Sequence, residues 1–316
     1  MGEASAARRE VSSPSSGEAE GAAGLSPPLS IRLRDAAADL STQLGLPPRA
    51  ARVEAQVLAA HALGVDRAWL VAHGQETLAP AQAGALAACL ERRLKGEPVA
   101  YILGRREFYG QEFIVTPDVL IPRPETETLV EAALARLPSD RPVQVLDLGT
   151  GSGVLALTLA RFRPQAEVTA VDRCPAALAV ARRNARAQRL ERRVRFVQAD
   201  WYPQGGVKNF DMIVANPPYV AEADPHLVQG DLRFEPRGAL AAGPDGLTAI
   251  RSIVAGAPRQ LRPGGWLLLE HGYDQAPACR ALLAAAGLSA LLTLEDLGGR
   301  PRVSGGCLPD SAGDRS

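Results

Sequence analysis

The run Asn216-Pro217-Pro218-Tyr219 has the residue types of a grip for a planar NH2 group. The Asn216 side-chain oxygen and the Pro217 backbone carbonyl can each accept one N–H. The prolines fix the direction of that carbonyl and remove competing donors. Tyr219 offers a ring face to a planar amide or base. The nitrogen of such a group is a poor nucleophile, because its lone pair is delocalised into a π-system. Held in this way, the lone pair can point at an electrophilic carbon, an orientation worth several kcal/mol. No strong base is required, since the proton can leave to water as the bond forms. The plainer alternative is a proline-enforced turn ending the strand-like run Met212–Ala215.

A second set lies upstream. Asp147-Leu-Gly149-Thr150-Gly151-Ser152-Gly153 closes one apolar run and precedes a helical one. Glycines there permit a tight turn and close approach of a ligand to the backbone. A dinucleotide fingerprint needs glycine where Val154 stands, and no Gly-Lys-Ser/Thr follows to make a phosphate loop. Gly149-x-Gly151-x-Gly153 after an acidic residue resembles the first motif of class I S-adenosylmethionine-dependent methyltransferases, whose cofactor carries no phosphate. Asp172 ends the next strand-like run and can accept two ribose hydroxyls, or can serve as an ordinary helix cap. Asp200-Trp201 ends the third; the acid can accept from an adenine amino group and the ring can cover a purine face. Three such features at three successive strand ends converge on one crevice.

The elements that must position these residues follow from periodicity. Val143–Leu148, Val168–Val171, Val194–Val197, Met212–Ala215 and Trp266–Leu269 read as strands. Val154–Phe162 and Ala176–Gln188 are helical runs between them. This alternation predicts an α/β fold, with a mostly parallel sheet covered by helices on both faces and ligands beyond the carboxyl ends of its strands. Upstream, apolar stripes at helical spacing (Leu33, Ala37 and Leu40; Val53, Val57, Leu58 and Leu63; Leu86, Leu90 and Leu94) predict a small helical domain over 30–98. His61, four residues after Val57, reads as a packed core histidine. Short apolar runs around Gly104 and Gly110 predict a β-hairpin linker over 99–121. Pro124 suits a first helical position, with Glu125 and Glu127 at the positive end of the dipole.

Composition narrows the function classes. The chain has 316 residues, 46% of them hydrophobic, which suits a folded protein of about two domains. Residues 1–29 have little bulky apolar content and read as a disordered tail. The 35 Lys+Arg balance 35 Asp+Glu, against a sequence-blind nucleic-acid binder. No apolar run reaches the roughly 18–20 residues of a membrane span, and there is no signal peptide, so a cytoplasmic protein is expected. Cys89, Cys174, Cys279 and Cys307 form no CxxC pair and read as free thiols. No Cys/His/Asp set has ligand spacing, so no metal is expected. Seven arginines between 182 and 195 read as a solvated helix end. Glu270-His271 reads as a structural pair at a strand end.

Asn-Pro-Pro-Tyr with the Gly-rich turn resembles methyltransferases acting on planar NH2 groups, both DNA N(6)-adenine and protein glutamine N(5) enzymes. Gly96-Glu-Pro-Val-Ala-Tyr-Ile-Leu-Gly104, Arg106-Glu-Phe-Tyr-Gly110, Ile121-Pro-Arg-Pro-Glu-Thr-Glu127, Asp231-Leu-Arg-Phe-Glu-Pro236, Asp245-Gly-Leu247 and Leu267-Leu-Leu-Glu-His-Gly272 resemble the peptide chain release factor glutamine methyltransferases. The likeness runs in order from about 30 to about 300. It implies a Rossmann-like seven-stranded methyltransferase sheet over 122–308 and an N-terminal domain that helps dock a class 1 release factor. It also implies transfer from S-adenosyl-L-methionine to the glutamine of the Gly-Gly-Gln loop, leaving S-adenosyl-L-homocysteine. By position, Gly149, Thr150, Gly151, Ser152, Gly153, Asp172, Trp201 and Asn216 would contact the cofactor. Asn216, Pro217, Pro218 and Tyr219 would hold the glutamine, with Asn216, Pro217 and Tyr219 catalytic. Enzymes modifying a large-subunit ribosomal protein share Asn-Pro-Pro-Tyr but lack the Pro-Glu-Thr-Glu form of the 122–127 block. A DNA adenine enzyme would also carry a target-recognition region and a basic surface. One departure stands at the C-terminus. The family usually follows Arg-Val of its last strand with Gly and an aromatic residue. Arg302-Val303-Ser-Gly-Gly-Cys307 lacks the aromatic, and 309–316 reads as a frayed tail.

Overall fold

The computed structural model describes Met1 and residues 26–203 and 209–310. The two predicted tails therefore lie mostly outside the described residues. Helices come first: α1 (Leu29–Leu44), α2 (Pro48–Leu63), α3 (Arg67–Ala72), α4 (Pro80–Leu94) and α5 (Val99–Leu103). Proline occupies the first position of α2 and α4, where its missing N–H costs nothing. Gly45 and Gly64 end α1 and α2 in the left-handed conformation, φ 66° and 67°. Leu29, Ala59, Leu70, Leu78 and Leu86 form one apolar cluster between these helices, and Ala36, Leu40, Ala51 and Ala55 form another.

Two expectations need correction here. His61 is exposed, not packed. The buried face of α2 is set by Ala51, Ala55, Leu58 and Ala59, and His61 stands roughly 200° around the helix from Ala59. The hairpin is also shorter than 99–121, comprising β1 (Arg105–Phe108) and β2 (Gln111–Ile114). Pro98 starts α5 and Gly104, at φ 70°, stops it, while 115–123 is irregular chain. The hairpin is anchored by Phe108 and Phe113, both buried in the main core.

Next come a 3₁₀ turn (Pro124–Thr126), α6 (Glu127–Leu134), β3 (Val143–Leu148), α7 (Val154–Phe162), β4 (Ala166–Asp172), α8 (Pro175–Ala187), β5 (Val194–Gln198) and β6 (Phe210–Ala215). They are followed by α9 (Arg237–Leu240), α10 (Thr248–Gly256), β7 (Leu261–Glu270), α11 (Ala276–Ala285), β8 (Ser289–Glu295) and β9 (Pro301–Cys307). The seven strands order as β5-β4-β3-β6-β7-β9-β8. Neighbours from β5 to β7 are parallel, and β9 is antiparallel to both β7 and β8. Side chains alternate between two cores. Val145, Met212, Val214 and Leu268 face one, with α6 and α7; Leu146, Ile213, Leu267 and Leu269 face the other, with α10 and α11.

Strand order reverses between β3 and β6, where such sheets bind ligands. Leu148 pairs with Ala215, so the chain leaves both strands at one level. The last strand is well packed without its aromatic residue. Val303 and Ser304 are fully buried, and a Cβ on Gly305 would overlap Leu267 and Leu268 of β7.

Candidate active site

The crevice at that reversal is a cavity of about 320 Å³. Gly149, Thr150, Gly151 and Ser152 line it after β3, Asp172 and Arg173 after β4, Asp200 and Trp201 after β5, and Asn216 and Pro218 after β6. The turn is built by backbone and small side chains. Gly149 and Gly151 have φ of 73° and 54°, a region that penalises side chains. Gly149 and Thr150 donate N–H to the Val171 carbonyl at 2.9 and 2.8 Å. Asp147, at the root of the turn, accepts Thr150 Oγ1–H at 2.6 Å and the Ala156 N–H at 3.1 Å on Oδ2. Its Oδ1 has no partner among the described residues, and burial pushes its carboxyl up to about 7. Asp172 accepts the Gly151 and Cys174 N–H groups, both at 2.9 Å, one on each oxygen. It therefore shapes the turn as well as lining the cavity, and it is not the helix cap, since Cys174 occupies that position of α8 with no side-chain cap bond. Trp201 is held at φ 61°, and a Cβ on Gly149 would stand 3.6 Å from its ring. Strain of this kind at a non-glycine residue collects at functional sites.

Gly153 does not line the cavity. A Cβ there would stand 3.1 Å from Leu157 and 3.3 Å from Ala181, so this glycine lets α7 and α8 pack closely. Pro217 and Tyr219 also lie outside the lining. Pro217 is buried. The Tyr219 ring packs against the α10/α11 core, and its hydroxyl donates to Glu270 Oε1 at 3.2 Å. Burial, then the nearby Glu270 charge, push that phenol above its usual range. The Tyr219 backbone is fixed by Gln275 Nε2, which donates to its carbonyl at 3.0 Å. Gly246 passes so close to that carbonyl that a Cβ would overlap it.

Asn216 shows the clearest chemical signal. Its Nδ2 donates to Thr126 Oγ1 at 3.1 Å, while its Oδ1 is buried with no partner among the described residues. Buried acceptors are almost always satisfied, so an orphan beside a cavity marks a place for a donor.

Several site residues escaped the strand-end reasoning. Asp118, Val119, Leu120, Pro122 and Thr126 close one side of the cavity, and Pro236, Gly238 and Ala239 another. These two segments are tied together. Glu235, which is buried, pairs with Arg123 and accepts the Ile121 N–H at 2.9 Å. Asn184, also buried, joins Ile114 of the hairpin to the Ser152 carbonyl. The 121–127 and 231–236 blocks were the available signal, but motif spacing alone gave them no role. Glu270 and His271 are fully buried, and His271 Nε2 meets Ser304 Oγ at 2.8 Å, as a strand-end pair should.

A switch-point crevice whose turn is glycine-rich, whose acids follow successive strands and whose acceptor lies beside the next strand defines an S-adenosylmethionine-dependent methyltransferase. The comparisons agree. Residues 126–231 match the methyltransferase small domain, and 33–104 match the PrmC N-terminal domain. The hMettl16 catalytic domain has the same fold, with a TM-score of 0.52 at 15% identity, covering 73% of this chain and 83% of that one. Release factor glutamine methyltransferase from Bordetella pertussis is 54% identical, covering 85% of this chain and 98% of the relative. The enzyme of that name from Escherichia coli is 45% identical over 80% and 91%. The chain belongs to the release factor glutamine methyltransferase family.

Proposed function

We propose that the protein methylates the side-chain amide nitrogen of the glutamine in the Gly-Gly-Gln loop of a class 1 peptide chain release factor. The observation that carries this reading is the orphan Asn216 Oδ1 beside the crevice. The crevice suits the cofactor. Gly149 and Gly151 leave room at the backbone, and Asp172 and Asp200 offer acceptors for hydroxyl and amino groups. When bound, S-adenosylmethionine supplies an electrophilic methyl group on a sulfonium. Asn216 Oδ1 and the Pro217 carbonyl each accept one hydrogen of the glutamine NH2, which turns the nitrogen lone pair toward the crevice. The prolines hold that carbonyl still, Pro218 closes the wall, and Tyr219 braces the loop from behind. Gly149, Thr150, Gly151, Ser152, Asp172, Trp201 and Asn216 hold the cofactor, and the proton leaves to water.

The helical domain over 30–98 docks the body of the release factor, the catalytic domain spans 122–308, and the protein acts in the cytoplasm. No helix among the described residues is long and apolar enough to cross a membrane. Methyl-labelled S-adenosylmethionine, offered in parallel with release factor, ribosomal protein and unmethylated DNA, tests the reading. Label should enter the release factor, at the Gly-Gly-Gln glutamine by peptide mapping. Label in ribosomal protein or DNA alone would overturn it.

A further inference from the structure

We infer that Arg93 and Asp231 are positioning residues for cofactor binding, through which the helical domain holds one wall of the crevice. The inference rests on the reading of the crevice as the S-adenosylmethionine site. It gives the helical domain a second role beside docking the release factor.

Arg93 stands in the last turn of α4 and is 3% exposed. A guanidinium so far from water is costly to bury unless its donors are taken up. Arg93 finds acceptors on both sides of the domain boundary. Within the helical domain its Nε donates to Glu54 Oε2 at 2.7 Å, and its Nη1 stands 3.2 and 3.0 Å from the Gly96 and Glu97 carbonyls. Across the boundary the same Nη1 donates to Asp231 Oδ1 at 2.9 Å. A second tie runs the other way, from Arg233 Nη2 to the Lys95 carbonyl at 2.8 Å. Gly96, at φ 93°, leaves the space that the Arg233 guanidinium fills, since a Cβ there would overlap it.

What the helical domain grips is the head of a strap. From Asp231 the chain runs to Pro236, Gly238 and Ala239, which line the crevice. Arg173, itself in the lining, donates to the Gly238 carbonyl at 3.2 Å. The strap then pairs with the chain just beyond Tyr219. The Val220 N–H donates to the Leu240 carbonyl and the Ala242 N–H to the Val220 carbonyl, both at 2.9 Å. The opposite wall is gripped from the same direction. Tyr101 of α5 donates its hydroxyl to the carbonyl of Val119, a lining residue, at 2.6 Å. Neither Arg93 nor Asp231 lines the crevice, so their effect on a ligand passes through the strap.

The two partners differ in a way that makes the link testable. The Asp231 side chain is 46% exposed, against 4% for that of Arg93. Removing Asp231 releases the strap and leaves Arg93 with Glu54 and the two carbonyls. Removing Glu54 weakens the helical domain and keeps the tie to the strap.

The test uses the full-length protein with Asp231→Ala, Asp231→Asn and Glu54→Ala. S-adenosylmethionine Kd is measured by calorimetry, kcat and KM with a whole release factor, and Tm by thermal unfolding. Asp231→Ala should raise the cofactor Kd and KM roughly five- to tenfold, the low end of coupling between distinct sites. Its kcat at saturating cofactor should stay within about twofold of wild type. Asparagine keeps the acceptor oxygen and loses the charge, so Asp231→Asn should fall between wild type and alanine. Glu54→Ala should lower Tm at least as much as Asp231→Ala, yet bind cofactor within about twofold of wild type. Wild-type cofactor affinity in Asp231→Ala would overturn the inference. A loss of affinity in Glu54→Ala as large as in Asp231→Ala would also overturn it, by marking a merely structural role. If Asp231→Ala does not fold, Asp231→Asn decides, a raised Kd supporting the inference and an unchanged one overturning it. Wild-type cofactor affinity in Asp172→Ala would instead sink the parent reading.

Discussion

The two halves of the crevice are built on opposite principles. On the β3/β4 side the backbone does the shaping. Glycines at φ 73° and 54° make the turn, and the carboxyl groups of Asp147 and Asp172 accept backbone N–H groups and one hydroxyl. On the β6/β7 side the work falls to side chains drawn from distant segments. Asn216 meets Thr126 at the wall, and behind it Tyr219 meets Glu270, because β6 and β7 pair and the 3₁₀ turn before α6 lies against the end of β6. A backbone-built site tolerates changes in most of its side chains but not in its glycines. A side-chain-built site depends on each member.

The sharpest way to break this contrast is Asn216→Ala. Turnover should fall by about 100-fold or more, while S-adenosylmethionine affinity falls by less, because Asn216 is one of seven residues that hold the cofactor; calorimetry alongside labelled-methyl turnover would check it. A parallel loss of both would mean that the halves are not separable. Next in size is Gly149→Ala. Alanine disfavours φ 73°, so the free turn relaxes, and binding must restore it at a cost of about 1–2 kcal/mol. The cofactor Kd should rise roughly tenfold, with kcat at saturation little changed. The smallest effect is expected at Asp147. Its buried carboxyl is pushed up to about 7, so the folded chain keeps a proton that the unfolded chain has released. That contribution to stability is complete below pH ~4 and is lost as pH rises through about 7. Asp147→Asn should therefore flatten the decline in Tm between pH 5 and pH 8, followed by calorimetry. Glu270, also raised to about 7 by burial, keeps part of the slope in the variant.

The same contrast explains what the sequence made legible. The Gly-rich turn is contiguous, so its glycines, Asp172 and Trp201 could be read from spacing, and all of them except Gly153 line the cavity. The five strand-like runs correspond to β3–β7, because buried parallel strands are nearly continuous apolar runs. Thr126 stood inside a recognised block, yet its contact with Asn216 could not be read. No periodicity brings residues 126 and 216 together; only the fold does. Asn184 was missed for the same reason, since its partners Ile114 and Ser152 lie far away in sequence. His61 was misplaced because a four-residue step from one apolar position does not locate the centre of a buried face.

Trp201, strained into the left-handed region at the mouth of the crevice, has an optical consequence. The chain has three tryptophans. Trp69 stacks on His73 in the helical region, with ring centroids 4.1 Å apart. Trp266 lies under Arg136, on the α6 side of the sheet. Only Trp201 lines the cavity, so occupancy by a purine stacked on its indole should quench part of the intrinsic emission. The enzyme thus carries its own unlabelled reporter of cofactor loading, one indole of three.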